Sequence, residues 1–261
     1  MLVIAENLNT RNVSYMKAVE DRNEKGLSDM ANRLRAAGAE VVNIQCSTDG
    51  SGDEETLPFV ADSIQAVLDC GLSLDSRNVE ALKRTIPLCD KPPLINYASA
   101  DENEQAYQIM EVTARFRTNL VLRASRGTIP NSLEAKMQIL YDLIESANAA
   151  DIPNERLYAD PSIVHIGRGM GQSHLVNAHH CITVLKEIVD PPVKTISWIS
   201  NVSAGIPKNL RARINSFFLA YLAGAGLDAS LIDVLDPEMM KAAYLIKAFK
   251  DEIIFSPGDI A

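Results

Sequence analysis

Eight short apolar runs punctuate this chain, and each is followed by a loop and a stretch of helical periodicity. They cover residues 2–7, 41–45, 72–75, 94–96, 120–123, 157–160, 195–201 and 231–233. All but the run ending at Arg123 finish on a polar or acidic side chain. Repeated strand-then-helix alternation predicts a parallel sheet, and eight repeats predict its closure into an α/β (β/α)8 TIM barrel. In such a barrel the C-terminal strand ends meet at one mouth, which holds the active site in essentially every characterised case. Glu6, Asn7, Asp75, Asn96, Asp160, Asn201 and Asp233 are therefore expected to be spatial neighbours, although they span almost the whole sequence.

A length of 261 residues suits one barrel, so residues 1–261 are read as a single domain. The hydrophobic fraction of 47% and charged fraction of 23% are those of an ordinary globular protein. No apolar stretch approaches the ~20 residues needed to cross a bilayer, and no basic leader precedes the first strand; a cytoplasmic location is expected. Cys46, Cys70, Cys89 and Cys181 are scattered without a C-x-x-C, which speaks for buried free thiols rather than disulfides or a thiolate zinc site. A net charge of −9 disfavours nucleic acid and anionic membrane as partners.

Helical stripes such as Leu27, Met30, Leu34, Ala37 and Leu133, Met137, Leu140, Ile144 would pack on the barrel. Asp101 with Glu104 and Asn131 with Glu134 have capping-box spacing, Asp236-Pro237 marks another start, and Gly38, Gly71 and Gly224 mark stops. The longest loops, 46–55, 125–131 and 162–172, all leave strand ends, so they gather at the mouth. Gly167-x-Gly169-x-Gly171 lacks the preceding central strand of a dinucleotide fingerprint and reads better as a mouth loop in which Arg168 meets an anion.

The mouth is rich in carboxylates and carboxamides and poor in nucleophiles. Asp75, Asn96, Asp160 and Asn201 offer planar donors and acceptors from four strands. A flat heterocycle with an amino-pyrimidinone edge suits them, because one carboxylate accepts from a ring N–H and an exocyclic amine together. The competing reading of each is an N-cap for the following helix.

Leu74-Asp75-Ser76-Arg77-Asn78, Ile95-Asn96, Leu157-Tyr158-Ala159-Asp160-Pro161, Ser200-Asn201-Val202-Ser203 and Ala225-Gly226-Leu227-Asp228-Ala229 resemble, in order and spacing, the pterin-binding methyltransferases. These include the methyltetrahydrofolate:corrinoid protein methyltransferases, the second methyltransferase of O-demethylase systems and the folate domain of cobalamin-dependent methionine synthase. The resemblance runs from residue 1 to about residue 255. It implies a barrel that binds tetrahydrofolate and moves a methyl group between N5 and the cobalt of a separate corrinoid protein, in the direction of folate, within an O-demethylase or acetogenic one-carbon pathway.

By that resemblance Asp75, Asn96 and Asp160 would hold the pterin ring, Asn201 would sit near N5, and Asn7, Gln45, Ser200 and Asp233 would complete the lining. A homodimer is implied as well. The family's Gly-Glu-Arg-Ile-Asn start reads Ala5-Glu6-Asn7-Leu8-Asn9 here, and Gln45-Cys46-Ser47 replaces an Asp-x-Asn. No Asp-x-His-x-x-Gly corrinoid signature occurs, so a partner protein is expected to bring the cobalt. His165, His174, His179 and His180 lack the helical pairing of a hydrolytic zinc site, and no metal is expected. Arg123, Arg126, Lys208, Arg211 and Arg213 are candidates for the glutamate tail, against the alternative of a solvated helix face.

Three rivals remain at this stage. A dihydropteroate synthase would carry an Asp-x-Gly-Gly-x-Ser-Thr-Arg-Pro loop, which Gln45–Gly50 does not match. A non-catalytic folate-binding docking protein would bind without turnover. A barrel lyase would need a strand-end lysine, and no strand here ends in one.

Overall fold

The computed structural model describes residues 1–260. Eight parallel strands close in chain order: β1 (Leu2–Leu8), β2 (Val41–Ile44), β3 (Gly71–Leu74), β4 (Leu94–Ser99), β5 (Asn119–Arg123), β6 (Leu157–Asp160), β7 (Lys194–Trp198) and β8 (Ala229–Ile232). The seam is made by β1 on β8, with Leu2 opposite Ala229 and Ala5 opposite Ile232. Helices α1 (Val13–Glu20) and α2 (Glu24–Ala36) both follow β1; one helix then follows each later strand, namely α3 (Asp53–Gln65), α4 (Val79–Thr85), α5 (Asn103–Phe116), α6 (Leu133–Ala149), α7 (Gly171–Ile188), α8 (Lys208–Gly224) and α9 (Pro237–Phe249). The expected (β/α)8 barrel is the fold of the chain.

Alternation along each strand divides the apolar residues between two layers. Ile4, Val121, Ile196 and Leu231 face into the barrel beside Leu94 and Tyr158. Val3, Ala5, Leu120 and Leu122 face outward against the helices, where Leu27, Leu34, Leu57, Ile64 and Leu140 are buried. Burying each such leucine or isoleucine contributes about 1.5–3 kcal/mol, which is why the helical stripes dock where they do.

Several local expectations are corrected. Residues 199–201 leave the strand and form part of a short 3-10 helix, Ile199–Ser203. The N-cap position of α5 is Glu102, without a side-chain capping bond, rather than Asp101, whose carboxylate is taken by the hydroxyls of Ser99 and Ser125 and by the Gly127 amide. Ser132, one residue past Asn131, caps α6 by accepting from the Ala135 amide. Gly38 does follow α2 with a φ of +98°, but Gly71 opens β3, and the positive φ after α8 belongs to Gly226 rather than Gly224. Asp236 caps α9 as expected, accepting from the amides of Glu238 and Met239.

Two strands carry a one-residue bulge at their mouth ends. On β1, Ala5 and Leu8 oppose Val42 and Ile44, so Glu6 and Asn7 stand where β2 has one residue. On β4, Ile95 and Ala98 oppose Leu120 and Leu122, and the extra residue falls in Asn96-Tyr97. A bulge disrupts strict in-out alternation and re-aims side chains. Here it brings consecutive polar residues to the same side.

Candidate active site at the barrel mouth

A cavity of about 230 Å3 opens at the C-terminal strand ends, and Gln45, Asp75, Asn96, Asp160 and Asn201 all line it. None of the last four caps a helix. Asn78 caps α4, and the N-cap positions of α5, α7 and α8 are Glu102, Met170 and Pro207, whose side chains make no capping hydrogen bond. The strand-end carboxylates and amides are thus left to the cavity, and the capping alternative is set aside.

Asp75 is buried and accepts a hydrogen bond from Gln45 Nε2 at 3.0 Å. Gln45 in turn accepts from the Thr10 hydroxyl at 3.2 Å, which fixes the amide between the β1 loop and Asp75. Desolvation pushes the Asp75 carboxyl up to about 7, although the Asn43 amide and the Arg123 guanidinium beside it pull the other way. Asp160 is raised by desolvation too, opposed by Arg123, by the Ser162 amide that donates to it at 2.8 Å, and by Lys136. Arg123, the one cationic strand end, lies 4.6 Å over the ring of Tyr97, and both line the cavity. Two carboxylates facing one stacked guanidinium form a planar, half-neutralised recess, suited to a flat ring with several N–H donors.

Asn96 is buried in the β4 bulge, with its Nδ2 donating to Asn43 Oδ1 at a long 3.5 Å. Asn201 stands on the 3-10 turn, whose backbone is pinned by Ala204 N donating to Asn201 O at 3.3 Å. Trp198, the only tryptophan of the chain, forms the adjoining wall. Its indole N–H donates to Glu6, which also accepts from the Ser200 hydroxyl at 2.7 Å. Burial, more than the nearby Asp233, pushes Glu6 up to about 8.

Asn7, Ser200 and Asp233 do not line this cavity; they face a second one at the same mouth. There the Asn7 amide donates to Asp233, and Asn7 Oδ1 accepts from Val234 N at 3.2 Å. Of the basic candidates, Arg126 is engaged by Asp142 at 3.0 Å, whereas Lys208 and Arg211 line the second cavity. Of the glycines at 167–171, Gly171 answers to backbone crowding, since a Cβ there would fall 2.5 Å from the His165 carbonyl, whereas Gly169 has open space around it. The four cysteines are free thiols, buried or half-buried.

Sequence reasoning missed Tyr97, Trp198 and Lys136. Lys136 lies fully buried on α6, donating at 2.6 Å to the carbonyls of both Pro161 and Ser162. It ties down the loop that follows Asp160. Its position three residues after Leu133, within the apolar stripe, was the available signal. Among the described residues no three His, Cys, Asp or Glu side chains are grouped as metal ligands would be, and no helix is long and apolar enough to cross a membrane.

No protein-family model matches the chain. A curated relative from Eubacterium limosum, the methylcorrinoid:tetrahydrofolate methyltransferase, is 26% identical over 251 residues, covering 95% of this chain and 90% of its own. Among solved structures, dihydropteroate synthase from Yersinia pestis with a pterin–sulfa conjugate superposes with a TM-score of 0.72 at 17% identity, over 97% of this chain and 94% of that one. The synthase from Xanthomonas albilineans with 4-aminobenzoic acid gives 0.72 at 18% identity, over 98% and 94%. These two likenesses carry the fold. The resemblance drawn from the strand-end motifs is borne out by the first: along nearly its whole length the chain is similar to a tetrahydrofolate-dependent methyltransferase.

Proposed function

We propose that this chain is a methyltransferase that moves a methyl group from the methylcobalt of a corrinoid protein to N5 of tetrahydrofolate. The observation that carries the reading is the convergence of Asp75, Asn96, Asp160 and Asn201 from four strand ends on one cavity, in a chain similar to an enzyme of that name. Asp75 and Asp160 take the N–H edge of the pterin, Asn96 its neighbouring polar edge, and Gln45 holds Asp75 in place. Asn7, Ser200 and Asp233 support the neighbouring wall.

In the transfer the N5 lone pair attacks the methyl carbon as the cobalt–carbon bond breaks. The electron pair of that bond stays on cobalt, leaving Co(I), and N5 gives up its proton to solvent water. The protein's work is alignment of two reactants and control of charge on N5. Asn201 suits that task, since an amide both accepts from N5–H and donates to the methylated nitrogen without fixing a charge. We place the reaction in the demethylating branch of one-carbon metabolism, with the corrinoid delivered by a partner protein.

The test is an anaerobic visible spectrum with methylcobalamin, or a methylated corrinoid protein, and tetrahydrofolate. Growth of a Co(I) band that requires both folate and Asn201 supports the reading. Tight folate binding with no spectral change for any methylated corrinoid would overturn it in favour of a docking protein.

A further inference from the structure

The second cavity at the mouth has a volume of about 410 Å3 and adjoins the pterin cavity, because Asn9 and Arg11 line both. Helix α8 forms one wall. Lys208, Arg211 and Asn215 recur there at spacings of three and four, which places them on one helix face. Asn215 is 8% exposed, and its Oδ1 has no hydrogen-bond partner. A buried acceptor without a partner is uncommon in a folded protein and points to a donor supplied from outside.

The charges are arranged in the same sense. Among the described residues, Arg11, Lys208 and Arg211 enter no ion pair. Arg211 is steered by its Nε, which donates to Ile206 O at 2.6 Å. The cavity's carboxylates are already occupied. Asp233 accepts from the Asn7 amide and from Leu235 N at 3.0 Å, and Asp236 caps α9. Glu6 holds Trp198 and Ser200, and its raised pKa of about 8 leaves it mostly uncharged at neutral pH.

A groove reached past Arg77 also adjoins the pterin cavity, and its balance of charge is more acidic. That groove carries Glu80, Glu102, Glu104 and Glu111 against Arg77, Lys83 and Arg115, with Arg77 paired with Glu102 at 2.7 Å and Lys83 with Glu80 at 2.7 Å. An anionic extension of the pterin ligand meets a surplus of carboxylates on that side and unpaired cations beside α8.

We infer that the cavity beside α8 seats the γ-linked glutamyl tail of the folate, with Lys208 and Arg211 on its carboxylates and Asn215 accepting from a tail amide N–H. The first glutamate of the tail, when terminal, carries two carboxylates and one amide N–H, which matches the two unpaired cations of α8 beside one free acceptor, and each further γ-glutamyl unit adds one carboxylate for which Arg11 remains. This rests on the folate reading above.

Trp198 provides the assay, since the only tryptophan lies on the pterin wall. Quenching of its fluorescence is titrated with tetrahydropteroate, which has no glutamate, and with tetrahydrofolate mono- and triglutamate. Affinity should rise across that series, by about tenfold in total for two screened charge contacts and a hydrogen bond, and the gain should shrink in high salt. In the Lys208→Ala/Arg211→Ala double variant the gain should vanish while tetrahydropteroate still binds; Asn215→Ala should lose part of it. Equal affinity for all three ligands, or a gain untouched in the double variant, overturns the assignment. So does an unchanged gain combined with slower transfer from a methylated corrinoid protein, which would hand the cavity to the partner. Failure of all three ligands to quench Trp198 would instead remove the folate reading itself.

Discussion

Replacing Asp75 by Asn is the most informative single change at the cavity we assign to the pterin. The amide still offers an oxygen to Gln45 Nε2, now 3.0 Å from the carboxylate, so the local fold is retained. What disappears is an acceptor for two N–H groups of the ligand. Charge-assisted hydrogen bonds contribute about 1.5–3 kcal/mol each, and the new NH2 would face a donor; a loss of about 2–3 kcal/mol follows, or roughly 30- to 150-fold in Kd. The pH dependence gives an independent check. The empty site holds Asp75 near 7, and the bound ligand must draw that value down, because its N–H groups stabilise the carboxylate. Binding then releases a proton, and affinity rises with pH through 7 and levels off above it, being about tenfold weaker at pH 6 than at pH 8. Calorimetry in two buffers of different ionisation heat counts the protons released. The wild type should release a measurable fraction near pH 6.5, and Asp75→Asn should release much less. A Kd within threefold of wild type, or an undiminished release in the variant, would refute the reasoning and pass the titration to Asp160.

Asn201→Ala should slow Co(I) formation by about 10²-fold, as loss of a transition-state hydrogen-bond partner does, with Kd for tetrahydrofolate changed much less; stopped-flow absorbance separates the two. Lys136→Met should lower the unfolding free energy by about 2–4 kcal/mol in urea melts, since it leaves the carbonyls of Pro161 and Ser162 buried without a donor; an unshifted midpoint would deny the tie. Glu6 and Asp75 have folded pKa values of about 8 and 7, above their ordinary ones, so each contributes stability at low pH that is lost as pH rises through those values. The ligand-free protein should therefore melt at a lower temperature at pH 9 than at pH 6, and Glu6→Gln should reduce that difference while keeping acceptors for Trp198 and Ser200.

The barrel was legible because buried parallel strands read as short apolar runs with no alternation to confuse them. The run at 195–201 overreached for the same reason: Ile199 is fully buried in the core, and apolarity alone does not distinguish the last turn of a strand from a 3-10 turn. Strand ends identified the mouth but not which part of it each residue faces. The bulge at Glu6-Asn7 shifts the phase of β1 there, and Asn7 accordingly turns to the cavity beside α8, where its amide donates to Asp233. Arg123 was visible as the exception among the strand ends, yet its sharing one cavity with Asp75 and Asp160 depends on three strands at once. Lys136 was hidden by its type, since lysine is almost never fully buried unless paired.

The seam of the barrel has a consequence for the order in which the molecule is made. β1 pairs with β8 as well as β2, and Glu6 on β1 holds Trp198 and Ser200. During synthesis β1 therefore keeps one edge unsatisfied until residues 229–232 have emerged, and the barrel that carries both cavities closes only then. Contacts this distant in sequence close slowly, and an open edge invites pairing with other chains in the meantime. A nascent chain stalled before β8 would thus hold a nearly complete sheet with no finished mouth, and a chaperone that shields β1 should raise the yield of active protein more than one that acts on the completed chain.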